Sequence, residues 1–101
     1  MEQMLSFVIP VLNEQDSIKL LYEKIMEQVR QQGYLYEIIF IDDGSTDDSV
    51  LHVKELREED KNVHLITFRK NFGKAMALQT GFRNAQGDII ITMDADLQDD
   101  P

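Results

Sequence analysis

Asp94, Asp96 and Gln98 follow the apolar run Ile89-Ile90-Ile91-Thr92-Met93 at a spacing of two residues. A strand turns successive side chains to opposite faces, so in continued extension all three would share one side. Two residues of rise separate the Asp positions by roughly 6.6 Å. Two carboxylates at that distance repel by about 2.5 kcal/mol at an effective dielectric near 20. A hard divalent cation relieves such repulsion, and Mg²⁺ favours one or two carboxylates together with substrate phosphates. The segment therefore reads as a place to hold a metal and a diphosphate, against the plainer reading of an acidic strand end in solvent.

Three other polar clusters accompany it. Asp42-Asp43 precede Gly44-Ser45-Thr46-Asp47, and a carboxylate at the end of a strand accepts hydrogen bonds from a ribose or a base edge. The same residues also favour turns and helix caps, so one Asp can cap while the other binds. Pro10-Val11-Leu12-Asn13-Glu14 reads as a strand terminator and cap that can also line a flat base pocket, with Glu14 receiving a donor. Arg69-Lys70-Asn71-Phe72-Gly73-Lys74 is a basic loop opening a helix, whose N-terminal amides favour an anion, with Lys74 as a phosphate partner. The chain has no Gly-x-Gly-x-x-Gly and no Walker loop, which argues against both of those nucleotide sites.

These clusters need elements to position them. Leu5 to Ile9 form a short β-branched run that Pro10 is expected to close. A helix capped by Asn13 or Asp16 follows to about Gln32, with Ile18, Leu21, Ile25 and Val29 at helical spacing and Gly33 as its stop. Glu37 to Ile41 read as a strand buried on both faces. A second helix carries Val50, Val53 and Leu56, with Ser45, Thr46 or Asp47 as its cap. Val63 to Phe68 make a third strand. Gly73 starts a third helix with Leu78, Phe82 and Ala85 inward, and Ile89 to Met93 are the fourth strand. The order βαβαβαβ implies an α/β fold, a mostly parallel sheet of about four strands flanked by three helices. Ligands of such sheets bind beyond the carboxyl ends of the strands, where all four clusters fall.

A chain of 101 residues, 43% hydrophobic, suits one packed domain. Its formal net charge of −9 argues against unspecific binding to nucleic acid or anionic lipid. No apolar run approaches the roughly 20 residues of a bilayer span, and Met1-Glu2-Gln3 lacks the basic start of a signal peptide. The absence of cysteine excludes disulfides and thiolate metal sites and fits a reducing cytoplasm. Four of the 19 acids stand in the last eight residues, and the chain reads as the first part of a longer protein.

Taken in order, Val8 to Glu14, Ile41 to Asp47 and Asp94-Ala95-Asp96 resemble the family 2 glycosyltransferases of GT-A fold. Arg69 to Lys74 and Asp94 to Asp99 narrow the resemblance to the branch of dolichol-phosphate mannosyltransferase and the undecaprenyl-phosphate glycosyltransferases. The resemblance covers about residues 5 to 101. It implies that Pro10, Leu12, Glu14, Ile41 and Asp43 line the nucleotide, with Asp94 and Ala95 beside it; Lys74 joins them as the phosphate partner read from the basic loop. It implies that Asp94 and Asp96, with Gln98, hold Mg²⁺ or Mn²⁺ on the diphosphate of a UDP- or GDP-linked sugar. Leu12 departs from the aromatic residue common there, and Asp100 from a common Pro. The family places acceptor-binding residues and any base beyond Pro101, and a lipid-phosphate acceptor would put the full-length protein at the cytoplasmic face of a membrane. A truncated sheet also exposes an edge able to pair with another chain. Two other readings remain, a non-catalytic nucleotide-sugar-binding module and a receiver-like signalling domain.

Overall fold

A computed structural model describes residues 3–95. The elements alternate: β1 (Met4–Val11), α1 (Ile18–Gln32), β2 (Leu35–Asp42), α2 (Ser49–Glu59), β3 (Val63–Thr67), α3 (Lys74–Asn84) and β4 (Ile89–Thr92). The strands form one parallel sheet in the order β3-β2-β1-β4. The chain thus steps outward from β1 to β3 and then returns across the sheet to place β4 on the far side of β1.

Strand alternation divides the core between two faces. Phe7, Ile9 and Val11 of β1 and Ile38 and Phe40 of β2 pack against α1 and α2, where Ile18, Leu21, Ile25, Val53 and Leu56 meet them. Val8, Ile39 and Ile41 point the other way, onto Ala77 of α3. The two central strands are therefore buried on both sides, as their continuous apolar sequences predict. α1 buries the expected Ile18, Leu21, Ile25 and Val29, and Gly33 ends it at φ 68° with its N–H on the Val29 carbonyl.

Three local expectations need correction. Pro10 does not close the first strand; β1 continues to Val11, paired with Asp42. The carbonyls of Met4 and Val8 accept from Asp88 and Met93, so even-numbered β1 residues direct their backbone groups toward β4. Pairing with β4 ends at Val8, so the amide that Pro10 lacks would have had no strand partner, and proline fits there. α1 begins only at Ile18, after Ser17; Asn13 and Asp16 lie upstream in the loop.

The third correction concerns α3. It buries Ala77 and Gly81, with Leu78 and Ala85 partly covered, while Phe82 is exposed. A Cβ at Gly81 would overlap Val8 Cγ1 and stand 2.9 Å from Ile41 Cδ1. The helix lies so close to the sheet that small residues must face it, and the large Phe82 turns aside.

Candidate functional site

A cavity of about 350 Å³ opens between the carboxyl ends of β1 and β4. This is where the direction of chain progression across the sheet reverses, the place where open α/β sheets receive ligands. Its size falls in the usual range for small-molecule sites. One wall is Pro10, Val11, Leu12 and Glu14, following from β1. Asp43 comes from the end of β2, Asn71, Gly73 and Lys74 from the start of α3, and Asp94 and Ala95 from the end of β4.

The two neighbouring aspartates divide their work. Asp42 is buried and its Oδ2 accepts the Ser45 amide at 3.0 Å, forming the turn. Asp43, also buried, reaches the cavity. Its Oδ1 accepts the Phe72 amide at 2.7 Å and its Oδ2 the Gly73 amide at 3.0 Å. A carboxylate offers about four acceptor positions, so two remain for a ligand donor. Gly44 completes this junction at φ 87°: a Cβ there would meet Asn71 N and Lys70 C, each at 2.9 Å. The β2–α2 and β3–α3 loops therefore approach backbone to backbone, which only glycine permits.

Lys74 and Asp94 close the opposite side. The Lys74 ammonium donates to Asp94 Oδ1 at 2.5 Å, with both side chains substantially exposed. Such a pair adds little to stability in water. Its importance is placement, because it sets a cation and a carboxylate together at the cavity. Lys70 lies 5.4 Å from the Phe72 ring centroid, and Phe72 meets Phe68 edge to face at 5.6 Å, so the intervening basic loop is held by its own aromatic residues.

A second network binds the first wall from behind. Asn13 N donates to Ser45 Oγ at 2.9 Å, and Asn13 Oδ1 accepts the Thr46 and Asp47 amides at 2.8 and 3.3 Å. Glu14 N donates to Ser49 Oγ at 2.9 Å. Asp47 Oδ1 also accepts the Ser49 amide at 2.9 Å, but the expected cap of α2 is displaced. The N-cap is Asp48, which makes no side-chain capping bond, and Asp47 stands one residue before it. Burial alone would raise the Asp47 pKa, but the Ser49 hydroxyl and amide and the Gln15 amide hold it below the usual carboxylate range.

Of the sequence-predicted site residues, Pro10, Leu12, Glu14, Asp43, Lys74, Asp94 and Ala95 converge on the cavity. Ile41 does not: it is fully buried against α3, beneath the site. Asp96 and Gln98 lie outside the described residues. Val11 and Asn71 are additional wall residues. Val11 was hidden by reading Pro10 as the strand's end, and Asn71 has no signal apart from its place in the basic loop.

Residues 6–101 match the sequence profile of glycosyl transferase family 2. The chain belongs to this family. It is 42% identical over 95 residues to CsbB of Bacillus subtilis, assigned as a glycosyltransferase, covering 94% of this chain and 29% of that protein. It is 42% identical over 97 residues to the undecaprenyl-phosphate 4-deoxy-4-formamido-L-arabinose transferase of Proteus mirabilis, covering 95% and 30%. The mannosyltransferase PcManGT of Pyrobaculum calidifontis, solved with GDP-Man and Mn²⁺, superposes with a TM-score of 0.81 at 29% identity, covering 95% of this chain and 28% of that one. The fold is that of the GT-A glycosyltransferases, and the chain spans about three tenths of the length of these relatives.

Proposed function

We propose that this chain is the donor-binding part of an inverting, metal-dependent glycosyltransferase that moves a sugar from a nucleoside diphosphate to a polyprenyl phosphate. The observation that carries the reading is the cavity at the β1/β4 crevice, where Asp43, Lys74 and Asp94 meet the Pro10–Glu14 wall. Pro10 and Leu12 offer apolar surface to a base, and Asp43 accepts a donor from base or ribose while still holding Phe72 and Gly73. Gly73 opens α3, whose first amides favour an anion. Lys74 neutralises part of the diphosphate charge in a protein whose net charge of −9 otherwise repels it.

The donor set suits a hard cation. Asp94 presents a half-exposed carboxylate at the cavity, and Asp96 and Gln98 follow it in the sequence. Mg²⁺ is commonly held by one or two carboxylates plus substrate phosphates rather than by a full protein cage. When bound, Mg²⁺ or Mn²⁺ would neutralise charge developing on the nucleoside diphosphate leaving group. A phosphate acceptor is already ionised near neutral pH and needs little help from a base. The lipid acceptor is supported by the Proteus mirabilis relative, and metal and nucleotide sugar by the Pyrobaculum calidifontis structure. Among the described residues no helix is long and apolar enough to cross a membrane. A lipid-phosphate acceptor would put the work of the full-length protein at the cytoplasmic face, and the net charge of −9 argues against a nucleic acid partner.

Calorimetric titration with UDP- and GDP-sugars, with and without Mn²⁺, tests the reading. Binding that requires the ion and weakens at least tenfold in Asp94→Ala is expected. Metal-independent binding, or none, would overturn it. Asp96→Ala in the full-length protein is expected to abolish metal-dependent transfer while leaving the fold intact. Metal-dependent binding by a full-length protein without transfer would instead favour a non-catalytic module.

A further inference from the structure

We propose that Asn13 is a positioning residue of the nucleotide cavity, acting by locking the β1–α1 loop onto the β2–α2 loop. The inference rests on the donor-binding reading above. Asn13 stands between Leu12 and Glu14, which line the cavity, yet it does not line the cavity itself. Its side chain is directed at the neighbouring loop, where its Oδ1 accepts two successive amides, Thr46 and Asp47. Its own amide is taken by Ser45 Oγ. The contact is thus reciprocal, each loop donating to and accepting from the other.

The backbone confirms that this residue is specialised. Asn13 has φ 54°, the one non-glycine residue at positive φ among the described residues. Asparagine tolerates the left-handed region better than most residues. Strand pairing cannot do the same work, because the β1–β2 ladder finishes at Val11 and Asp42, with Asp43 N on the Val11 carbonyl at 2.8 Å as its last link. Past that point only side chains tie the two loops. Through Ser45, whose amide is on Asp42 Oδ2, the clasp also reaches the turn that presents Asp43. Glu14 N on Ser49 Oγ and Gln15 N on Asp47 Oδ2 are further ties. Alongside them, Asn13 holds the separation between Leu12 and Glu14 on one side of the nucleotide and Asp43 on the other, and it alone of the three stands between two wall residues. A ligand meeting a fixed separation loses less affinity to ordering the loops.

The test is titration of UDP and GDP with Mn²⁺ present, by calorimetry well below the unfolding midpoint of each variant. Asn13→Gly keeps the left-handed backbone and removes the acceptor; Ser45→Ala removes the reciprocal acceptor. Each is expected to weaken binding about five- to tenfold, the value of roughly one hydrogen bond. The double variant is expected to be little weaker than either single one, since both break the same clasp. Asn13→Asp, which keeps an acceptor for the two amides, is expected to stay within about threefold of the unaltered chain. Unaltered affinity in Asn13→Gly and Ser45→Ala overturns the proposal while leaving the donor-binding reading in place. So does a loss in Asn13→Asp as large as that in Asn13→Gly. Should Asn13→Gly fail to fold, Ser45→Ala alone decides by the same criterion. Absence of nucleotide binding by the unaltered chain overturns the donor-binding reading and this proposal together.

Discussion

β1 and β4 are neighbours in one sheet, yet they are built very differently. β1 pairs along its length with β2 and is covered on both faces, with Val8 and Ile9 fully buried. β4 pairs over four residues, only with β1 among the described residues, and leaves Ile89 and Ile90 more than 40% exposed. Its entry is nevertheless firmly tied. Asp88 and Met4 exchange hydrogen bonds, and Gly87 N donates to Ser6 Oγ, which in turn donates to the buried Glu37. Stability thus resides in the β1–β2 half, while the cavity lies between a solid wall and a thin one. A parallel strand is ordinarily covered on both faces; among the described residues Ile89 and Ile90 are not.

The largest expected effect breaks the solid half. Phe40 is fully buried, and Phe40→Ala is expected to cost about 3–5 kcal/mol in denaturant unfolding. Gly81→Val places a branched side chain between α3 and Val8 and is expected to cost about 1–3 kcal/mol. An unchanged midpoint would show that the helix can retreat freely. On the thin side, Ile90→Ala is expected to cost roughly 1 kcal/mol, since less than full burial is lost. A loss comparable to Phe40→Ala would mean that β4 is covered in solution and would erase the contrast.

Asp60 gives a pH-dependent test of the solid half. Its Oδ2 accepts the hydroxyls of Tyr22 and Tyr36 at 2.7 and 2.6 Å, joining α2 to α1 and β2. Burial would raise the Asp60 pKa, but the two hydroxyls hold it below the ordinary value. Its contribution is therefore present above about pH 4 and disappears as pH falls through the lowered value. Burial followed by the Asp60 bond pushes both tyrosines up. Their contribution is complete below about pH 10 and is lost as pH rises through the raised values. Tyr22→Phe with Tyr36→Phe is expected to flatten the stability profile at both ends, read from urea midpoints between pH 2 and 11. The smallest effect is at the surface: Lys19→Ala removes the exposed pair with Glu55 and is expected to leave the thermal midpoint unmoved.

Much of this was legible in the sequence because it follows from periodicity. Helical spacing marks Ile18, Leu21, Ile25 and Val29, and the continuous apolar runs of β1 and β2 mark strands buried on both faces. The equally continuous run Ile89–Thr92 is nevertheless largely exposed. Topology then brought Pro10, Leu12, Glu14, Asp43, Lys74 and Asp94 to one cavity from four loops. What remained hidden depends on distances between elements. Phe82 fits the apolar stripe of α3 by spacing, but the closeness of the helix to Val8 selects Gly81. Asn13 has the composition of a helix cap, yet the amides it satisfies belong to a loop more than thirty residues away. Ile41 adjoins the polar turn in sequence, but strand alternation turns it into the core.

The short pairing of β4 has a dynamic consequence. Opening this strand disrupts one ladder and little buried surface, so its amides are expected to exchange with solvent through partial opening, while those of β1 and β2 wait for global unfolding. A nucleotide held between Asp94 and the Pro10–Glu14 wall would bind only the closed arrangement. Its free energy would then be added to β4 ahead of the rest of the sheet, and deuterium uptake there would report occupancy.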